Sequence, residues 1–138
     1  MKMKTLIHTA LAAIALATTT PAFGHDTGDK VSKNFEQAIP NIPGKSLIAF
    51  VVDYAPGAAS VPHTHANSAF VYAYVISGAI ESKVNDGTSR IYKAGESWSE
   101  PPGASHPVSR NASKTRPAKL LAVFVADTGD EQLTTYLK

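Results

Sequence analysis

The chain has 138 residues, no cysteine, and 13 basic against 11 acidic side chains. Without cysteine it can form neither disulfides nor thiolate metal sites, so any metal site must use nitrogen and oxygen ligands. The small net charge gives no indication of a nucleic-acid or anionic-membrane partner, and we expect neither.

The N-terminus predicts an export signal. Two lysines precede the apolar stretch 6–17, and small residues flank Phe23 in the pattern that signal peptidases cleave. We therefore expect residues 1–24 to be a signal peptide that is cleaved after Gly24 or, alternatively, after Ala22, and the mature protein to be periplasmic or secreted. The apolar stretch is shorter than the roughly 20 residues of a membrane span, so we expect no membrane anchor after cleavage.

The mature chain is predicted to be one domain. Removing 24 residues from 138 leaves 114, which is enough for a single modest core. Residues 25–45 are mostly polar and contain Pro40 and Pro43, which indicates an arm that packs on the domain. We expect the domain itself to extend over residues 46–138.

Short apolar runs bounded by turn residues predict an all-β fold. The sequence Asn85-Asp86-Gly87 separates two of these runs and favours a tight antiparallel hairpin. No segment has a sustained helical period, so a small sandwich or barrel is expected. The predicted strands are 46–54, 70–76, 79–84, 89–92 and 119–126.

Two runs, "FVYAYVI" and "LLAVFVA", are apolar at every position. A strand with one solvated face would instead alternate between apolar and polar residues. Continuous apolarity predicts that both faces of these strands are covered. We expect the N-terminal arm and a second subunit to contribute, which makes the chain a possible homodimer. Trp98, Tyr72 and Tyr74 could line a ligand pocket, but aromatic residues in barrel strands more often lie in the core or an interface, and we predict that position.

His63 and His65 are the first candidate site residues. On an extended segment, side chains two residues apart project to the same face, so the two imidazoles could bind one metal ion. Such a pair alone has a high false-positive rate. A Pro-Pro-Gly turn shortly before His106 favours a chain reversal that points a third imidazole at the pair.

The spacing of two segments resembles the two signature motifs of the cupin superfamily. The resemblance covers about half of the mature chain and implies a single small β-barrel of jelly-roll type. It also implies that His63, His65 and His106 bind a divalent transition metal, with Fe, Zn, Ni, Cu and Mn all left open. The residues that carry it are Gly57, His63, His65 and Gly78 in the first segment and Gly95, Pro101, Gly103 and His106 in the second.

The first motif lacks the metal-binding glutamate of the family. The corresponding position is Ala69, Phe70 or Val71, and no acidic residue lies between His65 and the next motif glycine. Glu100 could replace this carboxylate as a ligand or act as a general acid. A surface position at a turn is the interpretation that residue statistics favour for Glu100.

Two functional hypotheses follow. The first is an exported metal-dependent enzyme that acts on a small organic molecule by oxygenase-type or decarboxylase-type chemistry, with Glu100 as the one weak catalytic candidate. The second is a non-catalytic module that binds or senses a metal or small ligand, because one fold supports many functions.

Overall fold

The computed structural model describes residues 27–138, so the predicted signal peptide, residues 1–24, lies outside the described part of the chain. These described residues form eleven β-strands and contain no helix, so none of them forms a helical membrane span. The strands are β1 (Asp29–Ala38), β2 (Lys45–Tyr54), β3 (His63–His65), β4 (Phe70–Ser77), β5 (Ala79–Lys83), β6 (Arg90–Lys93), β7 (Ser97–Glu100), β8 (Ser105–His106), β9 (Val108–Asn111), β10 (Ala118–Asp127) and β11 (Thr134–Tyr136).

The strands build a small barrel from three antiparallel sheets. The largest sheet has the order β1-β2-β10-β4-β7, and two three-stranded sheets have the orders β11-β3-β8 and β6-β5-β9. Non-consecutive strands are neighbours in all three sheets, so distant sequence segments meet inside the barrel. This architecture confirms the predicted all-β fold and small jelly-roll barrel.

All five predicted strands are present, with ends that differ by at most one residue. The predicted hairpin is also found, because β5 and β6 pair antiparallel. Its turn contains Asn85 in the left-handed region, with a φ of 51°. The Gly87 N–H donates to the Val84 carbonyl at 3.1 Å, and the Ser105 N–H donates to Asn85 Oδ1 at 2.9 Å. The turn therefore also anchors β8.

About half of the segment predicted as an arm is strand β1. It pairs with β2 along almost its whole length and so forms one edge of the large sheet. Strands β2 and β10 separate it from β4. The expectation that the arm covers the outer side of β4 is therefore wrong, because backbone pairing places the arm beside the sheet.

Gly78 forms the corner between two sheets. It is the single residue between β4, in the large sheet, and β5, in a three-stranded sheet. Its φ is +73°, and an added Cβ would lie 2.7 Å from the Pro117 carbonyl oxygen. Only glycine fits both the conformation and the space, so the chain can change sheets here without an intervening loop.

The inner sides of the strands form the core. Trp98 lies in one core cluster with Val75 and Ile80, which agrees with its predicted core position. A second cluster contains Val71 and Phe124. The exposed fractions of Tyr72 and Tyr74 are 42% and 37%, so neither residue lies in the core of the single chain.

Candidate metal centre

Strand β3 presents two histidines to the barrel interior. His63 and His65 are buried, whereas Thr64 between them is half-exposed on the other face. This is the alternation expected of an extended segment. Strand β3 lies between β8 and β11, and its register places His63 directly opposite His106.

The turn that precedes His106 is tied to β3 by backbone hydrogen bonds. The His65 N–H donates to the Ala104 carbonyl at 2.9 Å, and the Gly103 N–H donates to the Ala66 carbonyl at 3.0 Å. Gly103 has a φ of +71°, which favours glycine in this turn. The second motif is thereby held against the first, and His106 enters the interior beside the histidine pair.

The three histidines form a compact group. One ligand nitrogen from each of His63, His65 and His106 lies within 4.8 Å of the others. The ring centroids of His63 and His65 are 4.9 Å apart, and those of His63 and His106 are 5.2 Å apart. The three side chains are only 9%, 8% and 4% exposed in chain order, so the group is largely shielded from bulk water.

Neighbouring polar groups orient two of the rings. The His63 Nδ1–H donates to the Val61 carbonyl at 2.7 Å, which leaves the Nε2 lone pair free. His106 Nε2 lies 2.8 Å from the Ser82 hydroxyl oxygen. Histidines that bind metals usually have such a partner on the second nitrogen, because it fixes the tautomer and the ring orientation.

Glu100 lies inside the group and is only 2% exposed, so its interpretation as a surface carboxylate is wrong. Its Oε2 lies 2.8 Å from His65 Nε2, and its Oε1 lies 3.3 Å from His106 Nδ1. The Trp98 Nε1–H donates to Oε1 at 3.0 Å. The sequence therefore supplies a carboxylate to the site although the first motif has none.

The position of Glu100 explains the missing glutamate of the first motif. In the pairing of β4 with β7, Val71 lies directly opposite Glu100. Val71 is one of the three positions that correspond to that glutamate in the first motif. Cross-strand partners have Cβ atoms about 5 Å apart on the same face of a sheet. The neighbouring strand thus places a carboxylate close to the expected position.

Sequence reasoning undervalued Glu100 because it stands directly before the Pro101-Pro102 turn, where a carboxylate is usually exposed. A usable signal was present in Ser97-Trp98-Ser99-Glu100, where a large apolar side chain alternates with serine. If Trp98 points inward, Glu100 does so as well, since strand side chains alternate with period two. The burial of both residues in β7 fits this pattern.

Burial and charge set the ionisation of the site. Burial is the main cause that lowers the pKa of His106 to about 4, against an opposing effect of Glu100. Burial also lowers the pKa of His63. For Glu100, burial acts to raise the pKa, but His65, His106 and the Trp98 N–H together outweigh it and hold the pKa below its usual value.

The donor atoms fit a transition metal. His65 Nδ1 is buried without a hydrogen-bond partner, whereas His65 Nε2 and Glu100 Oε2 are paired with each other at 2.8 Å. Buried polar atoms that remain unpaired are unfavourable and point to an absent partner. Three imidazoles and one carboxylate are typical ligands of Zn, Fe, Ni, Cu or Mn, whereas Ca and Mg prefer oxygen alone.

A cavity of about 450 Å³ opens next to the group. The three histidines and Glu100 lie in its wall, and the inner sides of β2, β4 and β10 contribute apolar side chains to it. A volume of this size suits a small organic molecule. The site can therefore hold a metal ion and a ligand side by side.

Residues 50–124 match the sequence profile of the family described as Cupin domain. No curated protein matches the chain. One similar solved structure is an oxalate oxidase in complex with the substrate analogue glycolate, with a TM-score of 0.62 and 24% identity over 90% of this chain and 60% of that chain. This chain therefore spans less than two thirds of the oxidase.

Two further solved structures have the same fold. An uncharacterized conserved protein with a double-stranded beta-helix domain from Klebsiella pneumoniae has a TM-score of 0.62 and 21% identity, over 83% of this chain and 89% of that chain. The DMSP lyase DddQ from Ruegeria pomeroyi has a TM-score of 0.54 and 22% identity, over 65% of this chain and 42% of that chain. At these identities the likeness shows the fold alone.

Proposed function

Because the chain belongs to the cupin family, we propose that it binds a divalent transition metal through His63, His65 and His106 and acts on a small organic molecule in the adjoining cavity. The observation that carries this proposal is the convergence of three buried imidazoles beside the buried carboxylate of Glu100. Imidazole nitrogens together with a carboxylate oxygen are a donor set that such an ion prefers.

The residues around the group prepare it for the ion. The Val61 carbonyl holds the His63 ring so that Nε2 faces the site, and the Ser82 hydroxyl restrains His106. A bound metal would act as a Lewis acid and as a template that orients substrate oxygens. Three protein nitrogens leave coordination positions open for that purpose.

Glu100 has two possible roles within the same proposal. It can complete the ligand set as a fourth protein donor, because its carboxylate lies within 3.3 Å of nitrogens of His65 and His106. It can also accept a proton from a bound substrate, since its lowered pKa keeps it ionised at neutral pH. The Trp98 N–H fixes its orientation in both roles.

The proposed reaction is of oxygenase or decarboxylase type. Two structures with this fold, the oxalate oxidase and the DMSP lyase, are named for reactions of small organic molecules. The cavity has room for such a molecule beside the metal group. A buried site also excludes bulk water, which strengthens electrostatic interactions with a bound substrate.

The test begins with the metal. Purified protein is analysed for metals by mass spectrometry, stripped, and reloaded separately with Fe²⁺, Mn²⁺, Ni²⁺, Cu²⁺ and Zn²⁺. Each form is then screened with small organic acids and alcohols for oxygen consumption and for carbon dioxide release. Oxygen consumption supports an oxygenase, carbon dioxide release without oxygen supports a decarboxylase, and metal uptake without turnover supports a binding module.

A matched pair of variants controls this experiment. His65→Ala removes one inward side chain of β3, whereas Thr64→Ala removes the outward side chain next to it. We expect metal uptake to be lost in the first variant and retained in the second. A folded wild-type protein that takes up none of the five metals overturns the proposal.

We also propose that the protein is exported, on the basis of the signal-peptide pattern in residues 1–24. Expression of the full chain in a bacterial host and intact-mass measurement of the periplasmic fraction test this. The expected mass corresponds to a chain that begins at His25, or at Phe23 with the alternative cleavage site. Material that still contains residues 1–24 in that fraction contradicts the proposal.

A further proposal concerns a second copy of the chain on the outer sheet face, meaning the outward side of the large sheet. Tyr72 and Tyr74 pair across strands with Val123 and Leu121 there. Monomeric proteins rarely expose extended apolar patches. The exposed apolar residues of this face are Phe70, Tyr72, Tyr74 and Ile76 of β4, and the half-buried ones are Leu47 and Val51 of β2 and Leu121, Val123 and Val125 of β10.

The charges around the outer sheet face favour self-association. Lys45 and Asp127 form an ion pair of 2.6 Å at one end of the β2–β10 pair, and Lys119 and Asp53 form one of 3.0 Å at the other end. An apolar centre surrounded by a polar rim is typical of protein interfaces, and the charges of this rim sum to zero. A two-fold arrangement can bring unlike rim charges together, whereas a strongly charged face would repel its copy.

A further inference from the structure

The cavity has a second polar region besides the metal group. Its wall contains three carboxylates, those of Asp29, Glu100 and Glu131. No lysine or arginine among residues 27–138 lines it. A ligand with two negative charges would therefore find no basic side chain in this wall, and its second carboxylate would face like charge.

Asp29 accepts from the Thr27 hydroxyl at Oδ1 and, at Oδ2, from a chain of hydroxyl groups. This chain is here called the Asp29 hydroxyl chain and is made of Asp29, Ser60, Tyr54 and Ser109. The Ser60 hydroxyl lies 2.7 Å from Asp29 Oδ2 and 2.8 Å from the Tyr54 hydroxyl. Ser109 Oγ lies 2.8 Å from the same Tyr54 hydroxyl. All four residues line the cavity.

The direction of the hydrogen bonds in this chain follows from the number of protons. Ser60 has one hydroxyl proton and donates it to Asp29, because a carboxylate can only accept. Tyr54 must then donate to Ser60, and Ser109 must donate to Tyr54. Burial raises the pKa of Tyr54, so the phenol keeps its proton at neutral pH. Every hydroxyl proton is used, and only acceptor lone pairs remain for a ligand.

The hydroxyl chain lies close to the metal group and faces an apolar wall. Ser109 pairs across strands with Ser82, whose hydroxyl contacts His106. The apolar wall includes Phe50 and Phe124, whose rings pack edge to face with centroids 5.4 Å apart. A ligand in the cavity would thus meet metal donors, acceptor oxygens and an apolar surface together.

We propose that the Asp29 hydroxyl chain is a binding subsite for a hydrogen-bond donor, so that the ligand is an apolar-bodied molecule with a hydroxyl or ammonium group and not a small dicarboxylate. This inference rests on the proposed function in taking the cavity as the substrate site. The acceptor-only chain recognises the donor group, the carboxylates favour positive charge, and the aromatic wall covers the apolar body.

Four probes separate the contributions of the donor group, the charge and the apolar body to binding. They are 2-phenylethylamine, 2-phenylethanol, ethylbenzene and phenylacetate, which share a benzyl group and differ in the group attached to it. Trp98 is the single tryptophan of the chain and contacts Glu100, so its fluorescence reports occupation of the cavity. Ligand-detected nuclear magnetic resonance gives an independent measurement. Both metal-free and zinc-treated protein are titrated.

Asp29→Asn removes the charge at the end of the chain. We expect it to weaken phenylethylamine binding about tenfold, because a hydrogen bond to a charged partner is lost. Phenylacetate binding should strengthen in the same variant, and ethylbenzene binding should stay within about twofold. Asp53→Asn is the matched control, because it removes the same charge on the outer sheet face, beside Lys119. Tyr54→Phe, which interrupts the chain, should weaken phenylethanol but not ethylbenzene.

Opposite shifts for the amine and the carboxylate in Asp29→Asn alone support the subsite. Equal shifts in both aspartate variants, equal losses for all four probes, or no binding of any donor-bearing probe overturn it. Metal analysis of the same samples separates the two proposals. Normal metal uptake with no discrimination among probes rejects the subsite only, whereas discrimination in a protein that never takes up metal rejects the metal function only.

Discussion

The two faces of the large sheet are built from the same strands but have different chemistry. On β4, Val71, Ala73 and Val75 point inward and are fully buried, whereas Phe70 and Tyr72 alternate with them on the outside and are exposed. The inner face adjoins the histidine group and the cavity, and the outer face is apolar with charged ends. One strand therefore contributes to both a ligand site and a surface suited to a second copy.

This difference shows what continuous apolarity in a strand means. The run "FVYAYVI" indicated that both faces are covered, and the inner face is indeed covered by the chain's own strands. On the outer face Phe70, Tyr72, Tyr74 and Ile76 remain exposed, and β1 lies at the far edge of the sheet. The two faces should thus respond independently to substitution, and the following predictions test that independence.

The largest expected effect is on metal affinity and comes from the inner group. His106→Ala removes one of three nitrogen donors. Loss of a group that only hydrogen-bonds to a metal ligand lowers metal affinity roughly 10–100-fold, so the loss of a ligand itself should lower it by more. The free energy of unfolding of the metal-free protein should change by only about 1–2 kcal/mol, from the lost contact with Ser82. Metal titration and urea unfolding measure both quantities. Tyr74→Ala on the outer face is the control and should leave metal affinity unchanged.

Unaltered metal binding in His106→Ala, together with a large loss of stability, would show that His106 is a structural core residue.

The next effect is on the pH dependence of the metal-free protein. The pKa of His106 is about 4 in the folded protein and 6.5 in an ordinary environment, so the unfolded chain takes up a proton first as the pH falls. Stability that is present above pH 6.5 should therefore be lost as the pH falls to 4, by at most about 3 kcal/mol. Below that range Glu100, whose pKa is also lowered, acts in the same direction.

Urea midpoints at several pH values measure this dependence, with His106→Gln as the variant that no longer titrates at this position. The slope between pH 6.5 and 4 should be shallower in the variant. An outer-face variant such as Tyr72→Phe should retain the slope of the wild type. Equal slopes in all three proteins would contradict the assignment to His106.

A smaller change is expected when the carboxylate of the site is neutralised. Glu100→Gln keeps the size of the side chain and can still accept from the Trp98 N–H, but it removes the negative charge beside His65 and His106. Metal affinity should fall about 10–100-fold while the protein remains folded. Competition with a metal indicator dye measures this. The exposed Glu96→Gln, which makes the same chemical change near Arg90, should have no effect.

The smallest expected effect concerns the outer sheet face. The double substitution Tyr72→Lys and Tyr74→Lys places two like charges on the proposed interface, so the dimer dissociation constant should rise at least about tenfold. Sedimentation velocity over a concentration series measures it, and metal content should not change. A wild-type protein that stays monomeric at every concentration would contradict the homodimer, and a simultaneous loss of metal would show that the two faces are coupled.

The sequence by itself determined the features that depend on local pattern. Apolar runs bounded by turn residues located β2, β4, β5, β6 and β10, and Asn85-Asp86-Gly87 located a hairpin, because both depend on neighbouring residues only. The period of two placed His63 and His65 on one face. The spacing of the two motifs indicated that His106 belongs with them, although 41 positions separate it from His65.

Only the tertiary structure decided which polar residues become part of the site. The short strands β3, β7, β8, β9 and β11 have little apolar pattern of their own and exist because a neighbouring strand satisfies their backbone groups. Glu100 is buried because β7 pairs with β4 opposite Val71. The alternation with Trp98 indicates which side of the strand Glu100 occupies, but not which strand lies beside it. Burial and cross-strand proximity are properties of a partner strand, so a single segment cannot specify them.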